Sequence, residues 1–431
     1  MHTRRVATMK WNRKVSGFLL AVGAIAAFAL AGCGAKNSSN DGGSSKTLTI
    51  GFWKGDSPQE SKGRNTLFKN FTKATGIKIK QKVYNDYNTQ LMTDLVGGTA
   101  PDVFYVDSSV LASLQTKGVL EPLNSYMKKD NFKTGDFYTP TYKAFTGNDG
   151  KQYGLPKDYS TMGLYYNNDL LKKAGYSASD IPKTDTEFFA FLKKLKTKLP
   201  GITPLTISPL LARQMFIMQS TGAKIITKTG KSNLDDPRII KALQPLVDAD
   251  AKDKTVRTFK EIGFGSAMDA FGGGKTVFSD EGAWQVSGLK TNFKKLNWGT
   301  TEFPTINGKK ANMIFTVGWS MNADSKDKSD SWKFIKFVTS KKQSQQYSTT
   351  ASVLPSRKSV AKAMGLNDDK DMAPFVEAAN YATPWIAGVN LDTIQVRYEN
   401  IIPSAFQGKI SLKDALTQAT ESANKDIDKQ K

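Results

Sequence analysis

The sequence predicts an α/β fold of two lobes, each a parallel-rich sheet flanked by helices, with about three chain crossings between them. Three observations lead there. At 431 residues the chain is too long for one ordinary core. From Thr47 onward, strand-like and helix-like segments alternate, the pattern of parallel strands joined by right-handed crossovers. Residues 153–171 then break that rhythm. Gly154 and Pro156 punctuate, Leu164-Tyr165-Tyr166 reads as a strand, and Asn167-Asn168-Asp169 turns the chain into a short helix stopped at Gly175. This stretch reads as the passage from one lobe to the other.

The chain opens with a basic segment ending at Lys14, an apolar run over residues 15–31, and Leu30-Ala31-Gly32-Cys33. That is the layout of a secretory signal peptide over residues 1–32. A start at Met9 would leave a more usual signal length. The end of the run resembles a bacterial lipobox, which implies that Cys33 is lipidated and becomes the first residue of the mature protein. Residues 33–46, rich in Ser, Asn and Gly, read as the lipidated cysteine and a tether. Thr47 to Phe52 is a strand. Ser57-Pro58-Gln59-Glu60 then opens a helix with an N-cap, a Pro at its first position and a capping-box Glu; Leu67, Phe68 and Phe71 face inward, and Gly76 ends it. Ile77, Ile79 and Val83 alternate in a second strand, and residues 102–106 form a short buried one. The loops after Trp53 and Val106 are therefore where a ligand should sit, beyond the carboxyl ends of the strands.

In the second half, Thr184 to Glu187 reads as a capping box before the apolar face Phe188, Phe191, Leu192 and Leu195. Asp236-Pro237 caps a helix carrying Ile239, Leu243 and Leu246. Residues 272–276 suggest a phosphate loop, but Asp269 stands where its first Gly is needed and a strand follows, so the segment reads as a helix-to-strand turn. Residues 303–323 read as a return crossing with Ile314 to Met321 forming a strand, residues 331–338 as a helix with Trp332 in the core, and the final helix opens at Ser411.

Composition narrows the chemistry. Cys33 is the only cysteine and His2 the only histidine, which excludes Ser-His-Asp and Cys-His nucleophiles and His-containing zinc sites in the mature chain. No cofactor or metal is implied. Of the formal net charge of +22, Arg4, Arg5, Lys10, Arg13 and Lys14 supply five, leaving +17 beyond them. The lysines are dispersed, without a zinc pattern or an aromatic RNA motif, so the charge points to an anionic cell envelope and not to nucleic acid.

Several blocks in order resemble the extracellular solute-binding protein family 1, the maltodextrin-binding type. They are Gly98-Thr99-Ala100-Pro101-Asp102-Val103, Lys117 to Leu123, Tyr165-Tyr166-Asn167-Asn168, Gly282-Ala283-Trp284, Gly318-Trp319-Ser320-Met321 and Leu354-Pro355-Ser356-Arg357. The resemblance spans nearly the whole mature chain. It implies the type II periplasmic-binding-protein-like fold, with lobe 1 from residues 47–156 and 304–354 and lobe 2 from 157–303 and 355–431. It also implies hinge crossings near Pro156, Pro304 and Pro355 and closure around a solute. The implied partners are an oligosaccharide, the transmembrane permease subunits of an ABC importer, and the membrane through the lipid on Cys33. The chain would act as a monomer on the outer face of a bacterial, Gram-positive cell.

Sugars call for flat aromatic platforms for their C–H faces and bidentate polar groups for their hydroxyls. Trp284 aligns with a sugar-stacking tryptophan of the family, and Asp107 lies near its hydroxyl-binding acid. Trp53 and Trp319 fall on loops expected at the cleft, and Glu60, Tyr159, Arg213, Arg397 and Tyr398 complete the candidate set. Where the maltodextrin-binding pattern has a second aromatic after the Pro-Asp-Val strand, this chain has Val106-Asp107, which argues against maltodextrin itself. Rival readings are the same transport role with an anionic or non-sugar ligand, a carboxylate-dependent polysaccharide-active enzyme, and an adhesin that holds envelope polymer by charge.

Overall fold

A computed structural model describes residues 46–55 and 57–430; the signal peptide, Cys33 and nearly all of the tether expected from the sequence lie outside the described residues. The strands among the described residues are β1 (Thr47–Trp53), β2 (Lys78–Tyr84), β3 (Val103–Asp107), β4 (Gly154–Asn167), β5 (Thr203–Ile207), β6 (Val256–Thr258), β7 (Thr276–Gly282), β8 (Trp298–Thr301), β9 (Met313–Met321), β10 (Leu354–Pro355) and β11 (Thr383–Pro384). They connect in the order β2-β1-β3-β9-β4-β7-β5-β6, with β8 and β10 added on β4 and β11 on β9. The two wings are parallel: β1 with β2 and β3, and β5 with β6 and β7. The strands between them, β3, β9, β4 and β7, pair antiparallel.

Residue choice explains the local elements. Ser57 accepts the amide of Glu60 at 3.1 Å while Glu60 accepts the amide of Ser57 at 3.0 Å, and Pro58 starts the helix Pro58–Thr75. Gly76, at φ 74°, closes it in the left-handed conformation that favours glycine. Asn167 ends β4 and caps the helix Asn168–Lys173 by accepting the Leu170 amide at 3.0 Å. Residues 272–276 form a turn from the helix Ala267–Gly272 into β7.

β4 supplies the join. Its first half pairs with β9, from Gly154 opposite Ser320 to Thr161 opposite Ile314. From Met162 it pairs with β7 and, nearby, with β8. The change of sheet falls between Thr161 and Met162, further along the strand than the Pro156 boundary expected from the sequence. Asn312 fixes this point: it donates to the Met162 carbonyl at 2.8 Å and accepts the Met162 amide at 3.0 Å. One apolar core lies on the first wing around Phe68, Phe71, Trp319 and Phe334. Another fills the second wing around Leu164, Phe188, Phe278 and Leu416. A third, with Tyr159, Tyr165, Ile314 and Phe375, sits at the junction.

Candidate binding site

Both parallel wings direct their strand ends toward the β4/β9 junction. On lobe 2 the loop after β5 leads into the helix Leu211–Ser220, which carries Arg213, and β7 ends at Gly282 just before Trp284. These two candidates meet. The Arg213 guanidinium stands 4.4 Å from the centroid of the Trp284 ring and 5.3 Å from that of Phe315. Glu281 ties the group together: its Oε2 accepts the indole N–H of Trp284 at 3.0 Å and lies 3.8 Å from Arg213. Trp284 remains 44% exposed, a large value for an indole held on three sides, and so offers a face to solvent. Gly282 makes this possible. A Cβ there would fall 2.1 Å from the Trp284 ring, so only glycine lets the indole fold back over the strand end. Phe315 extends the aromatic surface into the hinge strand β9, with its ring 5.8 Å from Trp284 and 6.4 Å from Trp385.

On lobe 1, Trp53 at the end of β1 packs edge-on against Tyr87 at 5.3 Å and beside Tyr105 at 5.0 Å. Asp107, at the end of β3, accepts the amide and hydroxyl of Ser109 at 2.9 and 2.6 Å. Burial pushes its carboxyl above the ordinary range, against the pull of those two bonds, and the carboxyls of Asp392 and Asp158 add to the rise. Asp392 belongs to the first turn of the helix Leu391–Phe406, which packs in the lobe 2 core, so the two walls approach each other here. Glu60 holds the helix start and contributes its field to Tyr105 and Asp158.

Behind these lies a buried cation absent from the candidate set. Lys157 contacts the Asp158 carboxylate, donates to the Tyr347 hydroxyl at 2.8 Å, and lies 5.0 Å from the Tyr105 ring centroid. Burial works to lower its pKa, but Asp158, Tyr347 and Tyr105 outweigh it and hold the ammonium charged.

Four candidates lie elsewhere. Trp319 was expected at the cleft; it lies on the strand expected over residues 314–321, here β9, but is fully buried, its ring 4.5 Å from Tyr105 and edge-on to Phe334 at 5.1 Å. It is core, because helices from both ends of lobe 1 close over it. Tyr159 is buried in the junction core, edge-on to Tyr138 at 5.2 Å. Arg397 donates to Asp426 at 2.6 Å, joining the helix Leu391–Phe406 to the helix Leu412–Lys429. Tyr398 is fully buried and donates to Gln214. Glu281, Phe315 and the Lys157–Asp158 pair were missed; an acid three residues before Trp284 at a strand end was a usable signal for the first.

No group of three or more potential ligating side chains is placed to hold a metal among the described residues. A hollow of about 1010 Å³ lies away from the strand ends, between two helices of lobe 2.

Comparison with known proteins agrees with this architecture. A family model described as bacterial extracellular solute-binding protein matches residues 66–374. The galactooligosaccharide-binding protein of Bacillus subtilis is 27% identical, covering 97% of this chain and 98% of its own. A maltooligosaccharide ABC transporter solute-binding lipoprotein of Streptococcus pneumoniae is 25% identical over 94% of this chain and 95% of its own. Among solved structures, the sugar-binding protein of Xanthomonas citri superposes with a TM-score of 0.77 at 20% identity, covering 89% of this chain and 98% of its own. An ABC substrate-binding protein of Listeria monocytogenes, solved with cycloalternan, gives 0.76 at 22% identity, over 89% of this chain and 99% of its own. The chain belongs to the bacterial extracellular solute-binding proteins.

Proposed function

We propose that this chain is the oligosaccharide receptor of an ABC importer, held on the outer face of the cell by a lipid on Cys33. A neutral sugar would bind on one lobe and be enclosed when the other closes over it, without turnover. The single observation that carries the reading is the Trp284, Arg213 and Glu281 group at the ends of β5 and β7. It combines a half-exposed indole face with a paired cation and carboxylate, and Trp53 and Asp107, at the ends of β1 and β3, would supply the facing wall. Stacking supplies affinity for the sugar's C–H face, and the fixed polar groups select its hydroxyls.

Neutrality follows from the charges present. Arg213 is already matched by Glu281 and Lys157 by Asp158, while Asp107, Asp392 and Glu60 supply three more carboxylates against the one further guanidinium of Arg64. An anionic sugar would meet repulsion that a neutral one avoids. The hinge would turn about β4 and β9, and the closed face would dock on the permease. Lobe boundaries follow the same reading, with the first moved from Pro156 to the change of sheet after Thr161.

The test is the melting temperature of the chain against galacto- and malto-oligosaccharides, with charged glycans and polyamines alongside. At 100 times its dissociation constant a true ligand adds about 2.7 kcal/mol, a readily measured shift. A shift with a neutral oligosaccharide that Trp284→Ala abolishes supports the proposal. A shift with polyanions or polyamines alone overturns it.

A further inference from the structure

Lobe 2 holds a feature that the cleft walls leave unused. The helices Asp185–Lys198 and Pro237–Ala251 cover one face of the β5/β7 wing without closing the space between them. The hollow of about 1010 Å³ runs there, bordered by Phe189, Ala190 and Ile240. Phe189 and Pro245 also border an inner cavity of about 90 Å³. Its walls are Phe188, Leu205, Leu246 and the pair Phe216 and Phe303, whose rings stack at 5.3 Å with planes 15° apart.

Asp280 borders this largely apolar space together with Asp185, and is itself partly buried. On β7 it lies opposite Leu164, so it shares the face that Leu164 presents to the lobe 2 core. Its Oδ1 is buried and has no hydrogen-bond partner. A carboxyl oxygen in apolar surroundings with nothing to bond is a costly residue to keep, and the cost calls for a partner.

We propose that this cavity is a second ligand site, which takes a small neutral molecule with an apolar body and one hydroxyl head. The body lies against Phe216 and Phe303, and the hydroxyl bonds Asp280. Charge argues for a neutral head. Burial first, and then Glu281, push the Asp280 carboxyl up to about 8 against the opposing pull of Arg213, so near neutral pH it is an uncharged acid able both to donate and to accept. A hydroxyl matches that dual role, whereas an ammonium would be opposed by the Arg213 guanidinium, whose charge reaches the same carboxyl from the cleft side. Size agrees: the cavity is several times what one water needs, room for a body of about one ring. The ligand would rest directly behind the cleft wall, since Glu281 follows Asp280 and bonds Trp284 on the other side of the strand. The site does not depend on the sugar reading.

The experiment is a saturation-transfer NMR titration of the full-length chain with benzyl alcohol, with toluene and benzylamine as comparators. Saturable binding of benzyl alcohol, at least about fivefold tighter than toluene, is expected. Ala242→Leu, whose added carbons enter the cavity from the helix, should weaken it about tenfold. Asp280→Leu should erase the preference over toluene. Asp280→Asn, whose amide still donates and accepts, should stay within about threefold of wild type and serves if either other variant fails to fold. Lack of saturation, equal binding of toluene, preference for benzylamine, or indifference to Ala242→Leu in a folded protein each overturns the proposal.

Discussion

Replacing Asp280 by Asn should change how stability depends on pH, and the size of the change follows from the residue's surroundings. Its carboxyl sits in the apolar cavity of lobe 2, with Arg213 and Glu281 acting on it from the cleft side and Asp185 bordering the same space. Burial raises it from 3.8 to about 8 in the folded chain. A raised carboxyl binds its proton more tightly folded than unfolded. The associated stability is full below about pH 4 and is lost as pH climbs to about 8. One proton gives at most about 1.4 kcal/mol per pH unit, so the wild type forgoes up to about 4 kcal/mol between pH 4 and pH 7 that the uncharged Asn does not. Asp250, raised to about 7 by burial, contributes alike to both proteins and cancels in the difference. The assay is urea unfolding of both proteins at half-unit steps from pH 4.5 to 8.5. The gap in unfolding free energy should widen with pH in favour of Asn and level off near pH 8. Parallel curves would falsify the reasoning, because they would mean that Asp280 ionises as freely in the fold as in water.

Three further outcomes follow from the walls of the cleft and the helix start. Gly282→Ala should weaken sugar binding at least tenfold, read by isothermal titration, with little loss of stability, because its methyl collides with the Trp284 ring and must push it off the Glu281 bond. Trp319→Ala should cost about 3–5 kcal/mol in urea unfolding as a large core truncation, while Trp284→Ala should cost far less stability and chiefly affinity. Ser57→Ala should lower stability by about 1 kcal/mol in the same unfolding assay, as one arm of the capping box is lost.

Much of the fold was legible because its signals are local. The capping box at Ser57, the Gly76 stop and the Asn167 turn each act through residues within one helical turn, and sequence displays such contacts directly. β5 and β6 carry little sequence signal: Thr203-Pro204 opens β5 with a proline and β6 is only three residues long. Their identity as strands comes from pairing with β7 and with each other, not from internal alternation. The site divides along the same line. Arg213 and Trp284 come from separate elements, and only folding brings the guanidinium over the indole. Trp319 reads as a cleft residue because what buries it is set by tertiary packing, with Phe68 from the first helix and Phe334 from the helix after β9 closing over its ring. Arg397 and Tyr398 carried a warning within reach: neighbours on a helix point about 100° apart, so one of the two is apt to turn toward the core, as Tyr398 does. Lys157 and Asp158 gave no signal, because adjacent opposite charges are normally a solvated surface pair.

The continuity of β4 has a mechanical and thermodynamic consequence. Leu155 belongs to one lobe's core and Leu164 to the other's, yet both are carried by β4, whose pairing with β9 shifts register once, between Pro156 and Asp158. Closure of one lobe over the other would therefore have to be absorbed by bending and twisting of these paired strands, which resist shear. Loss of either core also frees one end of the rod that braces the other. Heat should then melt the two lobes in a single cooperative transition, although each has an apolar centre of its own.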